Sequence, residues 1–138
     1  MALARKKQNF RGLQKLLGDL EEFTAVPNSL QMKSEGKWES RFSDLHVKSH
    51  PELSNDKYQV ISMAHYYKED GNLVPDPAMT IRVYLQQEAV TPATYQDSLG
   101  EKQEVYVDGN KWRPELSREL CGFLSKWLST LKKQGFYK

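Results

Sequence analysis

The residues of this chain whose types could do chemistry are three histidines, one cysteine, and a set of tyrosines interleaved with Arg82 and Asp97. His46 and His50 have the four-residue spacing of two helical metal ligands. The pattern around them is that of a strand running into a loop at Pro51, where such spacing does not aim both rings one way. A metal site needs three or four convergent ligands, so no metal and no cofactor is expected. His65 falls on an apolar strand face and suits a hydrogen-bonded core or edge position. Pro75-Asp76 is not followed by the acid-x-Lys of a metal-dependent nuclease: Glu35-Gly36-Lys37 precedes it and Glu101-Lys102 lacks the spacer. Serine nucleophile elbows, Walker-type glycine loops and dinucleotide fingerprints do not occur.

Two other groupings have chemical character. Tyr67, Arg82, Tyr84, Tyr95, Asp97 and Tyr106 alternate so that one sheet face could gather them, away from Met79, Ile81, Val83 and Leu85. Tyrosine beside arginine suits a protein hot spot or base stacking. Cross-strand tyrosine pairs also serve simply to stabilise a solvated sheet face. The second grouping is electrostatic. Residues 1–15 and 120–138 hold nine bases and no acid, while the segment between holds eleven bases and all eighteen acids, so a net charge of +2 divides into +9 at the ends and −7 in the middle. If both ends lie on one side of the fold, Arg5, Lys6, Lys7, Arg11, Lys126, Lys132 and Lys133 would attract an anionic partner. The bland alternative is a solvated basic tip and a helix C-terminus that favours lysine.

The elements that must position these groups follow from periodicity. Leu116, Leu120, Phe123, Leu124, Trp127, Leu128 and Leu131 recur at three- and four-residue steps, predicting a C-terminal helix from Arg113 to Gly135, with Pro114 in its first turn and Gly135 at its cap. Phe10, Leu13, Leu16, Leu17, Leu20 and Phe23 predict a second helix from Asn9 to Phe23, preceded by a flexible basic tip over residues 1–8. Between them the period changes to two: Leu30 and Met32, Leu45 and Val47, Met79 to Leu85, and Val105 and Val107 predict half-buried strands. Tyr58 to Tyr67 is apolar on both faces and suits a central strand. Ala89 to Tyr95 would hold Pro92 at an edge or a bulge. Glu69 to Pro77 is expected as a long connecting loop, the Gly71 to Ala78 part of which could do work. Trp38 to Phe42 is ambiguous.

The fold class is therefore α+β: residues 1–138 as one domain, an antiparallel sheet of four to five strands with the two helices on one face. The longest runs free of charged residues fall far short of a membrane span, no secretory signal is evident, and the lone Cys121 cannot form an internal disulfide. Cytoplasmic residence without membrane contact is the expectation; oligomeric state is not written in the sequence.

Met79-Thr-Ile-Arg-Val-Tyr84, with Asp76-Pro77 before it, Tyr95-Gln-Asp97 after it, and Phe123-Leu124-x-x-Trp127-Leu128 leading to Gln134-Gly135, resembles the small bacterial YqiB-like proteins of unknown function over roughly residues 60–135. The resemblance implies a cytoplasmic α+β domain with an antiparallel sheet and supplies no catalytic residues. Gln31 to Asn55 is unlike that family.

The sequence points to a non-catalytic binding module rather than an enzyme. The leading expectation is protein–protein contact through the tyrosine-bearing sheet face. The alternatives are nucleic-acid binding through the basic ends, and a hydrolase using His65 or His46 with nearby acids.

Overall fold

The computed structural model describes residues 2–32, 44–98, 100–107 and 111–136. Trp38 to Phe42 lies outside them. In chain order the elements are α1 (Ala2–Leu17), α2 (Leu20–Thr24), β1 (Ser29–Met32), β2 (Leu45–Ser49), β3 (Gln59–Glu69), β4 (Asn72–Tyr84), β5 (Ala89–Gln96), β6 (Gln103–Glu104), β7 (Tyr106–Val107), β8 (Lys111–Trp112) and α3 (Pro114–Lys133). Strands β1 to β6 form an antiparallel meander in sequence order, and β7 pairs with β8 in a separate two-stranded ribbon. The main sheet thus has six strands rather than the four to five expected: the anticipated strand at Leu30 and Met32 forms one edge, the unanticipated two-residue β6 adds the other, and Tyr106–Val107 pairs in the separate ribbon instead.

Alternation sets the layering. Leu45, Val47, Ile61, Met63, Met79, Ile81 and Val83 are all at most 1 % exposed and join Leu13, Leu17, Leu120, Leu124 and Leu131 of the helices in one apolar cluster. Both terminal helices therefore lie against the same sheet face. They also lie against each other and run in the same direction: the Arg5 guanidinium reaches Gly122, Asn9 Nδ2 donates to the Cys121 carbonyl at 3.1 Å, and Gly12 backs onto Leu128. A Cβ at Gly12 would stand 3.0 Å from Leu128 Cδ1, so glycine is what permits this close approach.

The C-terminal helix follows its expected bounds. Pro114 occupies the first turn, and the chain leaves through a Schellman turn in which Gly135 takes φ 91, its N–H donates to Lys132 O at 3.2 Å, and Phe136 N–H donates to Leu131 O at 2.9 Å. Phe136 is then buried under the sheet. The N-terminal helix differs from expectation at both ends. It begins at Ala2, so residues 2–8 of the anticipated flexible tip are its first turns, and Asn9 is a buried mid-helix donor instead of a cap. It stops at Leu17 because Gly18 turns left-handed (φ 85), after which Asp19 Oδ1 accepts from Glu21 N (2.9 Å) and Glu22 N (3.3 Å) and caps a separate short helix.

Two sheet features depart from the expected pattern. The long loop after Tyr67 is instead a two-residue turn, Asp70-Gly71, with φ 53 and 82, and β3 and β4 pair on either side of it out to Glu69 and Asn72. Positive φ at both central residues is what a tight hairpin of right-twisted strands requires. In β5, Ile81 pairs with Pro92 but Thr80 pairs with Thr94, so Ala93 is an extra residue. Pro92 sits at this bulge, as its missing N–H demands.

Candidate functional site

The bulge decides where the tyrosines go. One extra residue reverses the side to which every later side chain points. Tyr95 therefore lies opposite Met79 on the helix-bearing face, its ring meeting Phe123 edge-on with centroids 5.0 Å apart. Its hydroxyl donates to Asp97 Oδ2 at 2.9 Å, and nearby Ser98 Oγ donates to Asp76 Oδ2 at 3.1 Å. Arg82 and Tyr84 point to the other face. There the Arg82 guanidinium carbon lies 3.6 Å from the centre of the Tyr106 ring and 4.3 Å from that of Tyr58, while Tyr58 and Tyr84 stand 5.6 Å apart. The Tyr106 and Thr91 hydroxyls are 3.0 Å apart, and burial, more than any other cause, raises the Tyr106 hydroxyl above its ordinary range. Of the six residues expected on one surface, Arg82, Tyr84 and Tyr106 come together, joined by Tyr58; Tyr95 and Asp97 are separated from them by the sheet. Tyr67 is at the register position opposite Val74, and its side chain lies outside the described residues.

Tyr95 yields a pH prediction. Burial, with help from the hydrogen bond to Asp97 and the negative charge of Asp97 and Asp76, pushes its hydroxyl up from 10.0 to about 12. A folded value above the unfolded one means that the contribution of the neutral phenol is complete below pH 10 and is lost as pH climbs toward 12. Denaturant midpoints are expected to fall across that interval, and Tyr95→Phe should remove this part of the alkaline loss. An equal fall in the variant would show that Tyr95 does not contribute.

The histidines are held by neighbours. His65 packs between Trp127 and Phe136, both 5.8 Å away centre to centre, with Nδ1 3.2 Å from Asp44 O. His46 meets Tyr66 edge-on, and His50 Nε2 lies 2.8 Å from Ser62 Oγ. Among the described residues no three of His, Cys, Asp and Glu are grouped as metal ligands would be.

The basic ends behave differently, because α1 and α3 are neighbours. A groove of about 840 Å³ runs between them, bordered by Arg11 and Lys15 from one helix and Lys132 from the other, over Gly12, Ser125 and Ser129. At its head, toward the helix N-termini, a second pocket of about 350 Å³ is lined by Arg5, Lys6 and Arg118 around Trp112 and Cys121. Neither lining contains an acid. The two helices carry nine bases against only Glu115 and Glu119. Among the described residues, none of these six cations forms an ion pair with a described carboxylate.

Helical phase explains which cations take part. Arg118, Cys121, Ser125, Ser129 and Lys132 follow at three- and four-residue steps along one side of α3, a track of about 21 Å at 1.5 Å per residue. Lys133 is turned about 100° from Lys132, and Lys126 is also off this track. Lys7, Lys126 and Lys133 accordingly line neither cavity, whereas Lys15, within the acid-free N-terminal block, and Arg118, outside both blocks, do. Burial pushes the Cys121 thiol up, although Lys6, Ser117 and Arg5 pull the other way, so the pocket wall it forms is neutral.

An α+β domain with a cationic helix pair on one side of an antiparallel meander is the class that fold and surface define. The chain belongs to a family described as a domain of unknown function, DUF6908, whose model matches residues 8–137. That match does not carry the YqiB-like resemblance with it. Comparison with curated proteins and with solved structures finds no match. No helix among the described residues is long and apolar enough to cross a membrane.

Proposed function

We propose that this domain is a non-catalytic module that binds nucleic acid by its phosphate backbone along the cationic side of the α1–α3 pair. The observation that carries this reading is that two helices from opposite ends of the chain bring Arg11, Lys15 and Lys132 to one acid-free groove. Six cations without an ion pair to a described carboxylate, counting Arg5, Lys6 and Arg118 at its head, line the two cavities along the helix pair. Contacts of this kind release condensed counterions, so affinity depends steeply on salt. Fluorescence anisotropy of a labelled oligonucleotide at low salt tests the reading. Binding that fades as salt is raised supports it, and no binding at low salt overturns it.

A second reading, contact with a protein through the other sheet face, draws on the half-buried cluster of Tyr58, Arg82, Tyr84 and Tyr106. Tyrosine and arginine held rigidly by one another are common hot-spot residues. Such a partner would leave its footprint on the sheet face and not on the helix pair.

A further inference from the structure

The pocket at the head of the groove is lined by an exposed aromatic side chain, whereas the aromatic residue that lines the groove, Phe136, is buried. Trp112, on β8 opposite Tyr106, is 50 % exposed, although exposing a large indole to water is unfavourable unless something covers it. Pro114 and the neutral Cys121 thiol complete an apolar recess, and Arg5, Lys6 and Arg118 stand around it. At about 350 Å³ the recess falls within the range of small-ligand pockets, roughly 300–1,000 Å³. A recess lined by an indole, a proline and a neutral thiol together with two guanidinium groups and an ammonium group suits a planar ring that carries phosphate beside it.

We propose that this pocket takes an unpaired nucleobase, stacked on Trp112 with its flanking phosphates on Arg5, Lys6 and Arg118, so that the domain prefers single-stranded to double-stranded nucleic acid. The proposal rests on the nucleic-acid reading above and adds strand preference to it. In a duplex the bases face one another and cannot enter a recess beside the backbone track; in a single strand one base can turn aside while its neighbours continue along Arg11, Lys15 and Lys132. Cys121 and Ser117 form the inner wall and need no ionisation to do so.

The test compares the affinities of wild type, Trp112→Ala and Trp112→Phe for an oligo-dT strand and for a duplex of equal length. Stacking of one base is expected to make Trp112→Ala bind the single strand about tenfold more weakly. Its duplex affinity should be unchanged, and Trp112→Phe should keep most of the single-strand affinity. An unchanged single-strand affinity in Trp112→Ala, or equal losses for strand and duplex, overturns the proposal. Wild type that binds duplex as well as single strand overturns it while leaving backbone binding intact, whereas wild type that binds neither brings down the reading beneath it.

Discussion

Reversing two charges, Arg11→Glu together with Lys132→Glu, is expected to weaken oligonucleotide binding by about a thousandfold at low salt. Each of these residues lines the groove from a different helix, and neither forms an ion pair with a described acid. A cation and a phosphate in water-like surroundings attract by about 1 kcal/mol at contact distance, and reversal turns that attraction into repulsion of similar size, giving about 4 kcal/mol for the pair. The control is Lys126→Glu with Lys133→Glu. It changes net charge identically, but both residues lie outside the groove lining, so only the screened long-range part should be lost. In wild type, the six cations would give a slope of log affinity against log salt of about −4 for a single strand. Equal losses in the two double variants would place the contact elsewhere.

Leu124→Ala should cost about 2–5 kcal/mol of stability, much of what a domain of this kind has. Leu124 is fully buried between the helix pair and the sheet, in the same cluster as Ile61 and Met79. Truncation there leaves a cavity bounded by regular elements that cannot easily close. Leu53→Ala, at a position 56 % exposed, should lie within about 0.5 kcal/mol of wild type. Urea unfolding followed by circular dichroism reads both: the midpoint of Leu124→Ala drops with its slope unchanged. A small effect at Leu124 would mean that the helix layer is not docked as described, and the groove would lose its basis.

Particular residues show what was legible before the structure. The C-terminal helix could be read because stripe, first-turn proline and capping glycine agreed, and the structure places it at Pro114–Lys133. The period-two segments Leu45 to Val47 and Met79 to Val83 pack on the sheet face that alternation predicted. The apolar stripe of the N-terminal segment runs on through Gly18 and predicts one continuous helix. The local pair Gly18-Asp19, a left-handed stop followed by a cap, overrides that stripe. Alternation places Tyr95 with Arg82 and Tyr84, but a single bulge residue, Ala93, shifts the count of odd and even positions and turns it to the opposite face. Glu69-Asp70-Gly71-Asn72 and Pro75-Asp76-Pro77 together predict a long loop after Tyr67, whereas the strands pair around the tight Asp70-Gly71 turn and continue through the prolines.

The candidate site was legible in outline alone. Acid-free ends announced an electrostatic asymmetry, but which cations converge depends on the phase of α3 against α1. Gly12 and Asn9, neither of them charged, set that phase by allowing close approach to Leu128 and by bonding to Cys121. Trp112 carried no signal in sequence, since its role depends on β8 ending beside the start of α3.

The most direct measurement is a map of backbone amide shifts on adding a short oligo-dT to the isotope-labelled domain at low salt. Changes concentrated at Gly12, Lys15, Ser125, Ser129 and Lys132, with the sheet-face residues Arg82, Tyr84 and Tyr106 undisturbed, are the predicted result. Changes centred on Arg82, Tyr84 and Tyr106, or none at all, would contradict it.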